Sequence, residues 1–285
     1  MRPCCDERGG LLEKMIQLRN CIFPLSDDDD SARPNETKRT ETKRNTEEYI
    51  HKKQLVMQTT RCGAVSVKVL GPEAATASFL ALGGLGRRGE GPDWMASGVA
   101  GHLAQTMRVL LPDPYSNPKT APSAGEFAVL LSMRTLGGLW RGSCREEWLL
   151  DLLPKTGEGE EGDGKSSVVL AGHSWGGGAA ARVAAAHPDK VSRLVLVSPD
   201  VEWSVARRCW ATPTLLLWAK DDFINPILWT SRWRGHPNLT IHKTDRGGHR
   251  ILEAHGEVIT RWLQEQDTRE AESQARGGRG GGAGP

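Results

Sequence analysis

The sequence predicts an α/β fold in which a mainly parallel central sheet is covered by helices on both faces. Short apolar runs that are typical of buried strands alternate with helical segments through the middle of the chain. One strand-like run, residues 168–171, leads directly into a glycine-flanked serine and then into a helix rich in alanine and glycine. This alternation favours parallel strands, because each helix carries the chain back across the sheet before the next strand begins.

Each element follows from the hydrophobic pattern along the chain. The strand-like runs are residues 65–70, 76–82, 108–111, 168–171, 193–199, 213–218 and 239–242, and the helical runs are residues 94–107, 124–136, 145–153, 176–187 and 251–263. A glycine- and glutamate-rich loop at 157–164 is expected to be exposed. Only a short connection separates the strands 193–199 and 213–218, so no large lid is expected over the sheet edge there, unless residues 136–145 fold over it.

Gly172-His173-Ser174-Trp175-Gly176 is the most informative motif of the chain. A serine on a forced turn between a strand and a helix is lifted above the end of the sheet, where its hydroxyl can reach a substrate. The flanking glycines are expected because a Cβ at either position would collide with the neighbouring strand and helix. Ser174 is therefore the candidate nucleophile.

A serine nucleophile needs a histidine that takes its proton and an acid that orients that histidine. Asp221 and Asp222 follow a strand-like run, so they lie at the same sheet edge as Ser174. His249 comes after the next strand-like run and a turn-forming glycine pair. Only one of the two adjacent aspartates can face His249, because neighbouring side chains point in different directions.

With these motifs in order, the chain resembles an α/β-hydrolase of the serine branch from about residue 65 to about residue 263. In that superfamily a late strand ends in G-x-x-D-x-x-x-P, and residues 219–226 match it with alanine in place of the first glycine. The resemblance implies that Asp222 is the catalytic acid and that His249, which follows Gly-Gly before the last helix, is the base. It implies neither a cofactor nor a metal. A serine rather than an aspartate at the nucleophile position argues against epoxide hydrolase or dehalogenase chemistry.

The oxyanion of such an enzyme is stabilised by two backbone N–H groups. The resemblance assigns one to Trp175, the residue after the nucleophile, and the other to Gly84, in the loop after the strand 76–82. Many relatives begin that loop with His-Gly, where this chain has Leu82-Gly83. The departure puts the hydrogen-bond support of the loop in question, but not the backbone donor itself.

Other roles for these residues stay open at this point. Ser174 could be an ordinary turn residue and His249 a plain loop histidine, although both occur in the expected order. Asp221 is the rival acid. His173 is interpreted as a local hydrogen-bonding residue, with a role in the active site as the alternative.

Composition divides the chain into three regions. Residues 1–60 are mostly charged and polar and are expected to form a disordered arm, residues 61–265 the hydrolase domain, and residues 266–285 a disordered tail rich in glycine and arginine. The net charge of +2 is too small to indicate nucleic acid as a partner. No apolar run is long enough for a membrane span and no secretory signal is visible, so a cytoplasmic protein is expected.

The sequence thus predicts a hydrolase that cleaves an ester, thioester or related acyl bond of a small-molecule or acylated substrate through an acyl-enzyme intermediate. An acyltransferase or perhydrolase with the same triad is the alternative within enzymes. A hydrolase-fold protein that binds a ligand or partner without catalysis is the alternative outside them. Neither the physiological substrate nor the oligomeric state follows from the sequence.

Overall fold

The computed structural model describes residues 54–84, 89, 91–121, 147–153 and 168–277. Its strands are β1 (Gln54–Thr60), β2 (Gly63–Leu70), β3 (Ser78–Leu82), β4 (Arg108–Asp113), β5 (Val168–His173), β6 (Arg193–Val197), β7 (Thr214–Ala219) and β8 (Leu239–Thr244). Its helices are α1 (Pro92–Ala96), α2 (Val99–Leu103), α3 (Glu147–Leu150), α4 (Trp175–Ala186), α5 (Trp203–Arg208), α6 (Ile251–His255) and α7 (Glu257–Gly277). The predicted helix 124–136, the loop 157–164 and the segment 136–145 fall outside the described residues.

The strands form one eight-stranded sheet in the order β1-β2-β4-β3-β5-β6-β7-β8. β2 runs antiparallel to both β1 and β4, and every other neighbouring pair is parallel. β5, β6 and β7 are buried along their whole length, which explains why their sequences are nearly continuous apolar runs. The predicted fold class, a mainly parallel sheet with helices on both faces, is confirmed.

Alternate residues of the central strands pack into two separate hydrophobic cores, one on each face of the sheet. Leu194 and Leu196 pack on the face covered by α3, α4 and α5. Val195 and Val197 pack on the opposite face, which is covered by α1, α2, α6 and α7. Because the sheet is sandwiched in this way, the carboxyl ends of its parallel strands are held at one rigid edge.

The sheet begins earlier than the predicted domain boundary at residue 60. β1 pairs with β2 along its whole length, from Gln54 opposite Val69 to Thr60 opposite Gly63. The last seven residues of the predicted arm are therefore an edge strand. Its residues are mostly exposed and its sequence is partly polar, so it lacks the apolar signal of the buried strands.

The predicted helix 94–107 is two short helices, α1 and α2. Gly98 separates them in a left-handed conformation with φ 77°, which interrupts the helical hydrogen-bond pattern. The break turns the chain so that α1 can lie beside the loop that follows β3.

The last helix extends into the predicted tail. α7 continues to Gly277, and its residues Asp267 and Glu270 form ion pairs with Arg193 at the start of β6. The Arg193 side chain is only 9% exposed, so these carboxylates neutralise a nearly buried charge. Within the described residues, no helix is both long enough and apolar enough to cross a membrane.

Candidate active site

Ser174 occupies a strained turn between β5 and α4. Its backbone has φ 54° and ψ −119°, a region that side-chain-bearing residues rarely adopt. Such a conformation costs about 1–3 kcal/mol and persists only when its surroundings hold it. Here the N–H of Ser174 donates to Val197 O at 2.9 Å, and its carbonyl accepts from the N–H groups of Gly178 and Asp200, each at 3.1 Å. β6, the loop after it and α4 thus fix the position of the serine.

Two glycines of the motif are required by close packing. A Cβ on Gly172 would overlap the backbone of Gly176, and a Cβ on Gly176 would lie 2.5 Å from Gly83 O. The absence of these side chains lets β5, α4 and the loop after β3 meet at the serine. The close contacts agree with the steric argument made from the sequence. They also show that Gly176 packs against the loop after β3.

Asp222 faces His249 directly. Its Oδ2 lies 2.9 Å from Nδ1 of His249, while its Oδ1 accepts the backbone N–H groups of Ile224 and Asn225 at 3.0 and 2.9 Å. Burial favours a higher pKa for this carboxyl, but the hydrogen bond and charge of His249 and the N–H of Asn225 outweigh burial and hold its pKa below the ordinary value. Asp222 is therefore present as a carboxylate that accepts from Nδ1–H.

Asp221 has a different partner. Its exposed carboxylate accepts the N–H groups of Gly247 at 3.3 Å and Gly248 at 2.7 Å. The two adjacent acids thus have different contacts. Asp221 binds the backbone of the turn before His249, and Asp222 binds the imidazole ring of His249.

His249 lies on a short 3-10 turn, Gly248–Arg250, at the same sheet edge as Ser174. Its ring centroid is 4.9 Å from that of His173, the residue directly before the serine. Within the part of the chain that the structure describes, no hydrogen bond joins Ser174 Oγ to His249. Catalytic hydrogen bonds are often loose in ligand-free structures and tighten with substrate.

The two N–H groups expected at the oxyanion differ in their surroundings. Trp175 is the first residue of α4, so its N–H has no acceptor within the helix and lies at the positive end of the helix dipole. The N–H of Gly84 instead donates to Asp93 Oδ2 at 3.3 Å. α1 also supports this loop through the indole N–H of Trp94, which donates to Leu82 O at 2.9 Å. α1 thus supplies hydrogen-bond support to the loop after β3.

Sequence reasoning missed Asp93 and underrated His173. Asp93 is 3% exposed, and its Oδ2 lies 3.0 Å from Nδ1 of His173. The Nε2 of His173 lies 2.7 Å from the carbonyl of His249. His173 is therefore a long-range link rather than a local one. An aspartate near a helix start carries no signal of such a partner, because the contact depends on how distant segments pack.

Comparisons with known proteins agree with this architecture. A family model described as alpha/beta hydrolase fold matches residues 163–212, which include the Ser174 motif. The lipase LipV of Mycobacterium tuberculosis is 41% identical over 66 residues, which are 23% of this chain and 24% of LipV. The match therefore spans about a quarter of that relative.

Solved structures cover more of the chain. A CIB-like hydrolase of Thermoplasma acidophilum superposes with a TM-score of 0.54 and 19% identity, over 74% of this chain and 96% of that one. The naproxen esterase of Bacillus subtilis superposes with a TM-score of 0.51 and 13% identity, over 92% of this chain and 99% of that one. The chain thus has the α/β-hydrolase fold. At these identities the structural likeness concerns the fold alone.

The α/β-hydrolase fold of this chain brings groups of complementary chemistry together at the candidate site. A serine on a strained turn, an imidazole and a buried carboxylate lie at the carboxyl edge of the sheet. Among the described residues, no group of three or more His, Cys, Asp or Glu side chains is placed to hold a metal ion. This set of groups is suited to nucleophilic catalysis at an acyl carbon.

Proposed function

We propose that the protein is a serine hydrolase that cleaves an ester, thioester or related acyl bond. The observation that carries the proposal is the position of Ser174, on a strained turn at the same sheet edge as the His249–Asp222 pair. That pair has the geometry of an oriented general base, with the carboxylate on Nδ1 and Nε2 left for the nucleophile. The lipase and esterase names of the similar proteins support the same class of reaction.

In the proposed reaction, Ser174 Oγ attacks the acyl carbon and His249 Nε2 takes its proton. The negative charge on the acyl oxygen is stabilised by the N–H of Trp175 at the N-terminus of α4. The N–H of Gly84 is assigned as the second donor. His249 then protonates the leaving group, and water activated by the same imidazole releases the acyl group from Ser174.

A second candidate is a ligand-binding protein without catalysis. It is favoured by one observation, the hydrogen bond from the Gly84 N–H to Asp93, which occupies the second oxyanion donor. The two candidates differ in whether Ser174 reacts covalently.

A fluorophosphonate label followed by peptide mapping tests the proposal. We expect the label on Ser174, together with turnover of a short-chain p-nitrophenyl ester. Ser174→Ala should lower kcat by about 10³-fold or more. Ser192→Ala is the matched control, because Ser192 lies just before β6, at the opposite edge of the sheet, and its hydroxyl donates to Val168 O. It should retain the wild-type rate.

Two results would contradict the proposal. Turnover that survives in Ser174→Ala would place the chemistry elsewhere. A folded wild-type protein that neither reacts with the label nor hydrolyses the ester would favour the ligand-binding candidate.

A further inference from the structure

A second histidine–aspartate pair lies behind the serine. His173 is 4% exposed and Asp93 3%, and the two residues come from the end of β5 and from α1. Their side chains meet at 3.0 Å although 80 positions separate them in the chain. A buried polar pair of this kind is stable only when its hydrogen bonds are satisfied.

Both ring nitrogens of His173 face acceptors. Nδ1 meets the carboxyl of Asp93, and Nε2 meets the carbonyl of His249 at 2.7 Å. A carbonyl oxygen can only accept, so Nε2 carries a proton. The Asp93 oxygen that meets Nδ1 also accepts the Gly84 N–H at 3.3 Å. His173 is thus hydrogen-bonded through both ring nitrogens.

This arrangement also separates the two histidines by role. Both nitrogens of His173 already have hydrogen-bond partners, so neither is available to take a proton from Ser174. His249 uses only Nδ1 for its carboxylate. His173 therefore acts on the site through what it holds in place.

Asp93 and His173 hold the two backbone segments that flank Ser174. Asp93 fixes Gly84 in the loop after β3, and His173 fixes the carbonyl of His249. The His249 turn follows Gly247 and Gly248, whose φ values are 129° and 54°, so its backbone needs outside contacts to keep one conformation.

We propose that Asp93 and His173 are positioning residues, which form a hydrogen-bonded bridge between the Gly84 loop and the His249 turn and thereby set the place of the His249 ring relative to Ser174. The inference rests on the proposed serine-hydrolase function. It adds a second anchor to His249, whose ring is held by Asp222 and whose backbone is held by His173.

Steady-state kinetics of His173→Phe and Asp93→Asn test the bridge. A displacement of a catalytic group by about 1 Å can lower a rate by about 10²-fold. We expect kcat to fall by about 10- to 100-fold while KM stays within about threefold, because the substrate pocket is not the target. His173→Gln keeps one N–H donor and should recover part of the loss.

His236→Phe is the matched control. His236 is also a buried histidine, 7% exposed, and it joins Cys209 O to Asn238 N before β7 and β8, at the other edge of the sheet. It should lower thermal stability about as much as His173→Phe but leave kcat unchanged. Equal loss of kcat in both variants, or no loss in His173→Phe, would overturn the bridge.

Nitrogen-detected NMR of the histidine rings gives a readout that does not depend on turnover. We expect a proton on Nε2 of the His173 ring, and a shifted or broadened Nδ1–H signal of His249 in His173→Phe. A His173 ring without a proton on Nε2, or an unchanged His249 signal, would overturn the proposal. If the wild type shows these signals but neither turnover nor labelling, the bridge stands and the serine-hydrolase function fails.

Discussion

Replacing Asp222 by asparagine isolates the role of its carboxylate. In the structure, Oδ1 accepts two backbone N–H groups, from Ile224 and Asn225, and Oδ2 faces Nδ1 of His249. An asparagine must keep its oxygen on the two N–H groups, because an amide nitrogen cannot accept from them. Its NH2 group then points at His249. The ring must offer a lone pair there and carry its proton on Nε2, the nitrogen that should receive the proton of Ser174.

The size of the effect follows from this wrong tautomer. In serine proteases with a Ser-His-Asp triad, the corresponding change lowers kcat by about 10⁴-fold, which raises the activation free energy by about 5.5 kcal/mol. Asp221 cannot compensate, since its carboxylate holds Gly247 and Gly248. We therefore expect Asp222→Asn to lower kcat by about 10³- to 10⁴-fold at neutral pH.

Esterase rates of the two adjacent variants decide the assignment. Asp221→Asn loses an exposed carboxylate that touches only backbone, and it should stay within about tenfold of wild type. If Asp221→Asn were the inactive variant and Asp222→Asn the active one, the acid that orients His249 would be Asp221. The tautomer argument would then fail.

Three further predictions concern stability. Gly176→Ala should destabilise the fold by about 1–3 kcal/mol in urea unfolding, because the new Cβ would lie 2.5 Å from Gly83 O. A chain that ends at residue 265 loses both carboxylate partners of Arg193 and should be less stable by about 1–3 kcal/mol, whereas a chain that ends at residue 277 keeps them and should match wild type. The lowered pKa of Asp222 means that its contribution to stability is complete above the pKa of an unfolded aspartate, about 4, and is lost as pH falls through the lower folded value. In Asp222→Asn, the free energy of unfolding should therefore depend less steeply on pH below about 4.

A specific result would contradict each of these three predictions. A stabilised Gly176→Ala would mean that the loop after β3 can move away from α4. Equal stability of the two shortened chains would mean that water stabilises the charge of Arg193 as well as the carboxylates of α7 do. An unchanged acid profile in Asp222→Asn would mean that the His249 contact does not favour the carboxylate.

The sequence could predict the central strands because each is an apolar run buried on both faces, as β5, β6 and β7 show. It could also predict that Ser174, Asp222 and His249 share one edge, since the carboxyl ends of parallel strands meet there. The choice between Asp221 and Asp222 required the spacing to Pro226, and the structure places Asp222 on the ring of His249.

Other features depend on contacts that no local pattern records. β1 is an exposed edge strand, and its pairing with β2 is specified by the hairpin rather than by apolar burial. Asp93 meets His173 only because α1 folds back beside β5. The length of α7 depends in part on Arg193, which needs its carboxylates. In each case the deciding partner is distant in the chain.

The glycines in the first turns of α4 affect how this helix forms during folding. Three successive glycines, Gly176 to Gly178, occupy its first turns, and each disfavours an isolated helix by about 1 kcal/mol relative to alanine. A peptide of this segment should not stay helical in water, so α4 forms only when β3, β5 and β6 close around it. The left-handed backbone of Ser174 is held by Val197 and Asp200, which belong to the same late assembly. We therefore expect partly folded chains to lack the strained turn of Ser174, and the rate at which a refolding sample gains fluorophosphonate reactivity should report when the centre of the molecule has finished folding.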